Sequence, residues 1–333
     1  MLLNLHTHLE GRVRPSTAQE LGARLGLAEP EGGWAQAMQL GGPSNLTCFL
    51  QKVSSTYPFF ADRESLTRIA REAVEDAAAD GEDYLELRFG PMSHVGNGMD
   101  PDEVIAAVCE GMREGSQITG MPAGAVVCAL RLHGPEINEA AARAAARFAG
   151  RGVVGFDLAG DEILYPDLGM LTSAFGIARA AGLGLTCHAA EAGPASAAID
   201  AVDLLGVTRI GHGTHIADDP AVLREIAARG IVVEICPTSN WYTGGIAAIG
   251  AHPARHLHCS GVPLVLGDDN PRQTGSPLSA ERQLLRETLG FDAASLLALD
   301  RTSVAAGFME QSVRDGLARR LDAEARAASD GRG

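Results

Sequence analysis

The tightest constraint on this chain is a His-x-His, His6-Thr7-His8, closing the short apolar run Leu2-Leu3-Asn4-Leu5. Residues i and i+2 of a strand point to the same face, so the two imidazoles address one point. Such a pair arises easily by chance in a chain of 10 histidines; its weight comes from three later segments of the same kind. Gly184-Leu185-Thr186-Cys187-His188-Ala189-Ala190-Glu191 is a strand-like run into a histidine and a glutamate. Arg209-Ile210-Gly211-His212-Gly213 ends in a glycine-flanked histidine, and Val262-Pro263-Leu264-Val265-Leu266-Gly267-Asp268-Asp269 ends in two carboxylates. Nitrogen and oxygen donors without thiolate suit a catalytic zinc, or Fe2+ or Co2+, with one position left open for water.

Strand-like runs recur at Leu2–His6, Tyr84–Phe89, Ala125–Leu132, Val153–Leu158, Leu183–Cys187, Thr208–Ile210, Ile231–Ile235 and Pro263–Leu266. Alanine-rich amphipathic segments lie between most of them, including Glu64–Ala79, Asp102–Gly111, Glu136–Phe148, Leu171–Ala181, Ala195–Leu205 and Pro220–Ala228. Short apolar runs alternating with helices imply βαβ units and a parallel sheet. Eight repeats, with no GxGxxG after the first strand, predict an α/β fold of the (β/α)8 TIM-barrel type. Residues 12–80 form a long insertion after the first strand, and its aromatics (Phe49, Tyr57, Phe59, Phe60) suit helices that either cover the barrel mouth or simply pack. The expectation is one barrel domain over residues 1–320 and a frayed tail over 321–333. In a barrel, catalytic groups sit at the carboxyl ends of strands, where all of these histidines and aspartates fall.

Composition closes several alternatives. The formal charge is −15 with no basic cluster, so neither nucleic acid nor an acidic membrane is an expected partner. No apolar stretch approaches the roughly 20 residues of a membrane helix. The first strand begins at once, leaving no room for a leader, and six cysteines without a CxxC read as reduced thiols; both predict a cytoplasmic protein. Lys52 is the sole lysine and lies in a helix-like segment, which disfavours a lysine-bridged metal pair and Schiff-base chemistry.

The motifs resemble those of the adenosine deaminase family in order along nearly the whole chain. They are His6-Thr7-His8-Leu9-Glu10-Gly11, Tyr84-Leu85-Glu86-Leu87-Arg88, Gly155-Phe156-Asp157-Leu158-Ala159-Gly160-Asp161-Glu162, His188-Ala189-Ala190-Glu191, Arg209-Ile210-Gly211-His212-Gly213, Cys236-Pro237-Thr238-Ser239-Asn240 and Asp268-Asp269. The resemblance implies a metal-dependent aminohydrolase acting on C–N bonds of cyclic amidines, with zinc held by His6, His8, His188 and Asp268. It further implies that His212 orients the attacking water and that Glu191, as the protonated acid, gives a proton to ring N1. Asp269 would meet N7, the backbone N–H of Gly160 would reach N3, and Glu10 would lie near the ribose. The small-molecule substrate implied is a 6-aminopurine nucleoside, adenosine or a modified one such as 6-aminodeoxyfutalosine. Free adenine, another amino-heterocycle, or a mononuclear zinc hydrolase of a different bond is the alternative.

Three departures bear on substrate. Glu10 stands where adenosine-specific members usually carry aspartate, and Ala190 where the family usually has glycine. The usual Asp-Asp-Pro reads here Asp268-Asp269-Asn270-Pro271-Arg272-Gln273-Thr274-Gly275-Ser276, as if one residue were inserted into a polar loop. Either Arg272 or Gln273 reads a polar or anionic group on the substrate, or the segment is a loop insertion that faces solvent. Asp157, Asp161 and Glu162 are expected to cap the following helix. His94 and His133 suit packing or solvation, and His252, His256 and His258 precede the eighth strand, on the side of the barrel away from the site.

Overall fold

The structure, a computed structural model, describes residues 1–96 and 98–330. Eight parallel strands follow one another around a barrel in sequence order: β1 Leu3–His8, β2 Tyr84–Phe89, β3 Ala123–Leu130, β4 Val153–Ala159, β5 Gly184–Ala189, β6 Arg209–His212, β7 Val232–Ile235 and β8 Leu264–Leu266. The fold is the expected (β/α)8 TIM barrel. Strands with both faces covered lose the polar alternation of a half-exposed sheet; β2 is buried along its whole length. Each fully buried Leu, Ile, Val or Phe contributes about 1.5–3 kcal/mol of transfer free energy, and the shell between strands and helices is built almost entirely of such residues with alanine.

The seam between the last and first strands decides how the site is assembled. Thr7 bridges Asp269, with the His8 N–H donating to the Asp269 carbonyl (2.7 Å) and the Asp269 N–H to the His6 carbonyl (2.9 Å). Asp269 is thereby stitched between the two histidines of β1. Gly267 permits this approach: a Cβ there would lie 2.4 Å from the His6 Cβ.

The insertion after β1 contains four helices, α1 Pro15–Leu25, α2 Gly33–Met38, α3 Leu46–Ser54 and α4 Arg63–Ala79. The Asn45 side chain starts α3 by accepting the Cys48 N–H (2.9 Å), and that of Asp62 starts α4 by accepting the Ser65 N–H (2.8 Å), satisfying donors a helix start leaves free. Of the insertion's aromatics, Phe59 and Phe60 are core, whereas Phe49 and Tyr57 also line the barrel mouth. The final helix runs Gln311–Asp330 with Leu321 buried, so helix continues into the expected tail; residues 331–333 of that tail lie outside the described residues. No helix among the described residues is long and apolar enough to cross a membrane.

Candidate active site

At the carboxyl ends of the strands, His6, His8, His188 and Asp269 bring one ligand atom each to within 4.8 Å of one another. The His8 and His188 Nε2 atoms are 3.2 Å apart, and Asp269 Oδ1 lies 3.3 Å from His8 Nε2 and 3.7 Å from His6 Nε2. A tetrahedral ion with bonds of 2.0–2.1 Å needs ligand atoms separated by about 3.3–3.4 Å, so these spacings fit. A second observation agrees: His6 Nε2 is buried with no hydrogen-bond partner, while its Nδ1 is held by Glu234 Oε2 at 2.6 Å. His188 Nδ1 is likewise held by Asp157 (3.1 Å). Carboxylates on the far nitrogens orient metal-binding imidazoles and raise their basicity. Burial, with Arg88 next, pushes His6 down to about 3, and burial above all pushes His8 down to about 4, so both stay neutral with a lone pair to offer.

The aspartate of the cluster is thus Asp269, where the sequence reading expected Asp268. Adjacent residues at a strand end face opposite ways. Asp268 turns to Arg12, whose Nη2 donates to it at 2.7 Å while the Arg12 Nε donates to Thr7 Oγ1 at 3.0 Å. Asp269 reaches the cluster with φ 57, in the left-handed region. With Asp269 as the ligand, the family's Asp-Asp-Pro maps onto Asp269-Asn270-Pro271, and the apparent extra residue disappears. Asn270 then stands at the second aspartate, donating from Nδ2 to Asp269 Oδ1 (2.8 Å). Arg272 is corrected too: it pairs with Asp76 on α4 and lines a separate cleft with Arg12 and Pro15, not the pocket.

Glu191 and His212 face the same pocket, Glu191 Oε2 being 3.7 Å from His212 Nε2. Burial, then the charges of Asp269 and Glu162, pushes the Glu191 carboxyl well above its usual range, as a proton donor at neutral pH requires. Its loop is clamped by Glu162, which accepts the backbone N–H groups of Ala190 (3.1 Å), Ala192 (2.5 Å) and Gly193 (2.7 Å). The expected helix-capping role of Glu162 and Asp157 is therefore replaced by support of the site. Asp161 does cap locally, accepting from the N–H groups of Ile163 and Leu164 (3.0 Å each), and also takes the Thr47 hydroxyl of α3 at 2.6 Å. Ala190, His212 and Asp269, all non-glycine, have φ of 53, 64 and 57. Positive φ at such residues costs energy and clusters where a site demands it.

The pocket has a volume of about 380 Å³. Part of the lining is Gly160, Leu164 and Tyr165 after β4; another part is Leu46, Phe49, Leu50 and Val53 of α3. Thr47–Asp161 joins these two parts, so α3 is a cover over the mouth. Glu10 lines the floor, its Oε1 accepting from His94 Nε2 at 2.8 Å, with His94 packed on Phe60. His94 thus has a packing role that also holds a pocket carboxylate. The described lining residues include four acids (Glu10, Asp161, Glu191, Asp269) and neither Lys nor Arg.

Sequence reasoning missed Asn240 and His252. Asn240 Nδ2 lies 3.0 Å from His212 Nδ1, and its Oδ1 lies 3.1 Å from His252 Nε2. His252 is buried behind the site, not away from it. Asn240 was visible as the last residue of the Cys-Pro-Thr-Ser-Asn motif; nothing local marked His252.

A sequence model of the adenosine deaminase family matches residues 2–324. The chain is 35% identical to an adenosine deaminase from Shewanella loihica, over 95% of this chain and 96% of that one. It is 33% identical to an adenine deaminase from Rhizobium leguminosarum, over 96% and 98%. A crystal structure of an amidohydrolase from Burkholderia ambifaria with bound zinc is similar with a TM-score of 0.87 and 25% identity, covering 99% of this chain and 92% of that one.

Proposed function

Because the chain belongs to the adenosine deaminase family and is a hydrolytic deaminase, we propose that it acts on a 6-aminopurine nucleoside, adenosine or a modified one such as 6-aminodeoxyfutalosine. Water adds at C6, the amino group leaves as ammonia, and the 6-oxo purine remains. The observation that carries this reading is the convergence of His6, His8, His188 and Asp269 beside a Glu191 that burial keeps protonated. When bound, the metal, for which zinc is the natural candidate, lowers the pKa of a water toward about 7.

The chain's own residues supply the rest. Glu191 gives its proton to ring N1, relieving the charge that builds as oxygen adds; help of this kind is typically worth about 10²–10⁴-fold. His212, whose Nε2 lies 3.7 Å from Glu191 Oε2, holds the attacking oxygen. By family likeness the Gly160 backbone N–H would reach ring N3, and Asn270, which lines the pocket beside Asp269, would take over the contact with N7. Cover α3, held by Thr47–Asp161, keeps bulk water from the ring. A lining that holds Glu10 and Asp161 and neither Lys nor Arg disfavours a phosphate, which supports a nucleoside over a nucleotide.

Ammonia release by zinc-loaded protein tests this against adenosine, deoxyadenosine, 6-aminodeoxyfutalosine, adenine and AMP. Turnover of a nucleoside with little on AMP is expected. Preference for adenine would move the reading to the free base, with Glu10 closing the sugar's space; silence from metal-bound protein would overturn it.

A further inference from the structure

We propose that Asn240 and His252 are positioning residues that fix the tautomer of His212, so that it presents an N–H and not a lone pair to the pocket. The inference rests on the reading above only in giving His212 a role at the reacting carbon; the relay itself stands on hydrogen-bond direction.

The argument starts from a group whose direction is not in question. The backbone N–H of Ala254 can only donate, and it lies 3.1 Å from His252 Nδ1. That nitrogen must therefore carry a lone pair. His252 is neutral, burial having pushed it down to about 3, so its one proton sits on Nε2. Nε2 then donates across 3.1 Å to Asn240, which must offer its carbonyl oxygen there. The other end of the amide is consequently the NH2, and it donates to His212 Nδ1 at 3.0 Å. His212 Nδ1 is left as the acceptor and Nε2 as the N–H.

Each link comes from a different part of the barrel. His212 ends β6, Asn240 lies on the helix Pro237–Tyr242 after β7, and His252 precedes the helix Ala254–Cys259. All three are buried, His212 at 1% and His252 at 5% exposure, so water is poorly placed to reverse a link. A protonated His212 would set an Nδ1–H against the Asn240 NH2, and the relay disfavours that form. His212 accordingly steadies the attacking oxygen as a donor from Nε2.

The decisive experiment is two-bond 1H–15N correlation on zinc-loaded protein labelled at histidine, with His212 assigned through His212→Gln. A lone-pair Nδ1 and protonated Nε2 are expected; the opposite tautomer, or a rapid mixture, would overturn the proposal whatever the substrate proves to be. In Asn240→Asp, a carboxylate of the same shape accepts from Nδ1–H, so the tautomer should flip and kcat fall about 10²-fold or more with a smaller change in KM. His252→Ala frees the amide to turn and should mix the tautomers. His252→Gln, which keeps a donor near the Nε2 position, should restore most of what His252→Ala loses. A flipped tautomer with unchanged kcat on an accepted substrate would also overturn the account. If Asn240→Asp does not fold, the wild-type spectrum and the two His252 variants still decide.

Discussion

Two polar clusters occupy the same barrel, one above the other, and they differ in how completely they are paired. In the lower one, Arg88 donates to Asp157 and Glu234 (2.9 Å each), and Arg209 donates to Glu234 and Glu86 (2.6 Å each). Every carboxylate oxygen of Glu86, Asp157 and Glu234 has a partner. In the upper one, His6 Nε2 has none, and three imidazoles and Asp269 crowd one point. A buried charge network whose carboxylate oxygens are all taken, with only the Arg88 Nε–H left over, is a structural device; a buried cluster of ligand atoms with a lone pair unspent is a site awaiting a ligand. Glu234 belongs to both layers, taking Arg88 and Arg209 below and His6 above.

The contrast can be broken from either side. The largest effect belongs to Asp269→Ala, which should lose the metal and reduce ammonia release to background, read by elemental analysis and the ammonia assay. Asp268→Asn should keep the metal and instead lose stability, about 3–5 kcal/mol, because Arg12 is left without its closest carboxylate. Equal metal loss in both variants would erase the distinction between the two aspartates. Glu234→Gln tests the shared residue: denaturant unfolding should show a cost of about 3–5 kcal/mol, and metal affinity should drop about 10–100-fold through His6.

Smaller effects sharpen the comparison. Glu281, outside both layers, is pushed up to about 7, chiefly by burial, and accepts the Thr238 N–H at 3.1 Å. Its folded pKa is raised, so the native state holds the proton more tightly than the unfolded chain does. That stability is complete below about pH 4.3, the ordinary glutamate value, and is lost as pH rises to about 7. The loss is about 4 kcal/mol at 1.36 kcal/mol per unit, and Glu281→Gln should remove this slope from unfolding curves. Glu162→Gln places an NH2 against one of the three backbone donors around Glu191. A cost of about 1.5–3 kcal/mol in kcat is expected with metal content unchanged; parallel loss of metal would make the clamp a general structural one. Ala190→Gly should relieve the positive φ and raise thermal stability by about 1 kcal/mol.

Much of this was legible in the sequence because parallel barrel strands, covered on both faces, read as apolar runs whose last residues carry the chemistry. His6, His8, His188, Glu191 and His212 all fall there. The choice between Asp268 and Asp269 was not legible: it depends on a positive φ and on the bridge from Thr7 that closes the barrel, neither of which leaves a local pattern. Arg272 looked like a ligand for substrate because the sequence does not show that Asp76, far away on α4, meets it. His252 was set aside by its place before β8, yet the loop after β7 folds back and buries it behind His212. The Ala-Ser-Asp-Gly-Arg-Gly end of the chain suggested fraying, and the burial of Leu317 and Leu321 shows how the last helix is held.

Anomalous diffraction from zinc-loaded crystals tests the central claim most directly. The account predicts one strong peak bounded by the Nε2 atoms of His6, His8 and His188 and the carboxylate of Asp269, with Asp268 still on Arg12. A peak coordinated by Asp268, or a cluster that takes up no metal while the enzyme releases ammonia, would contradict it.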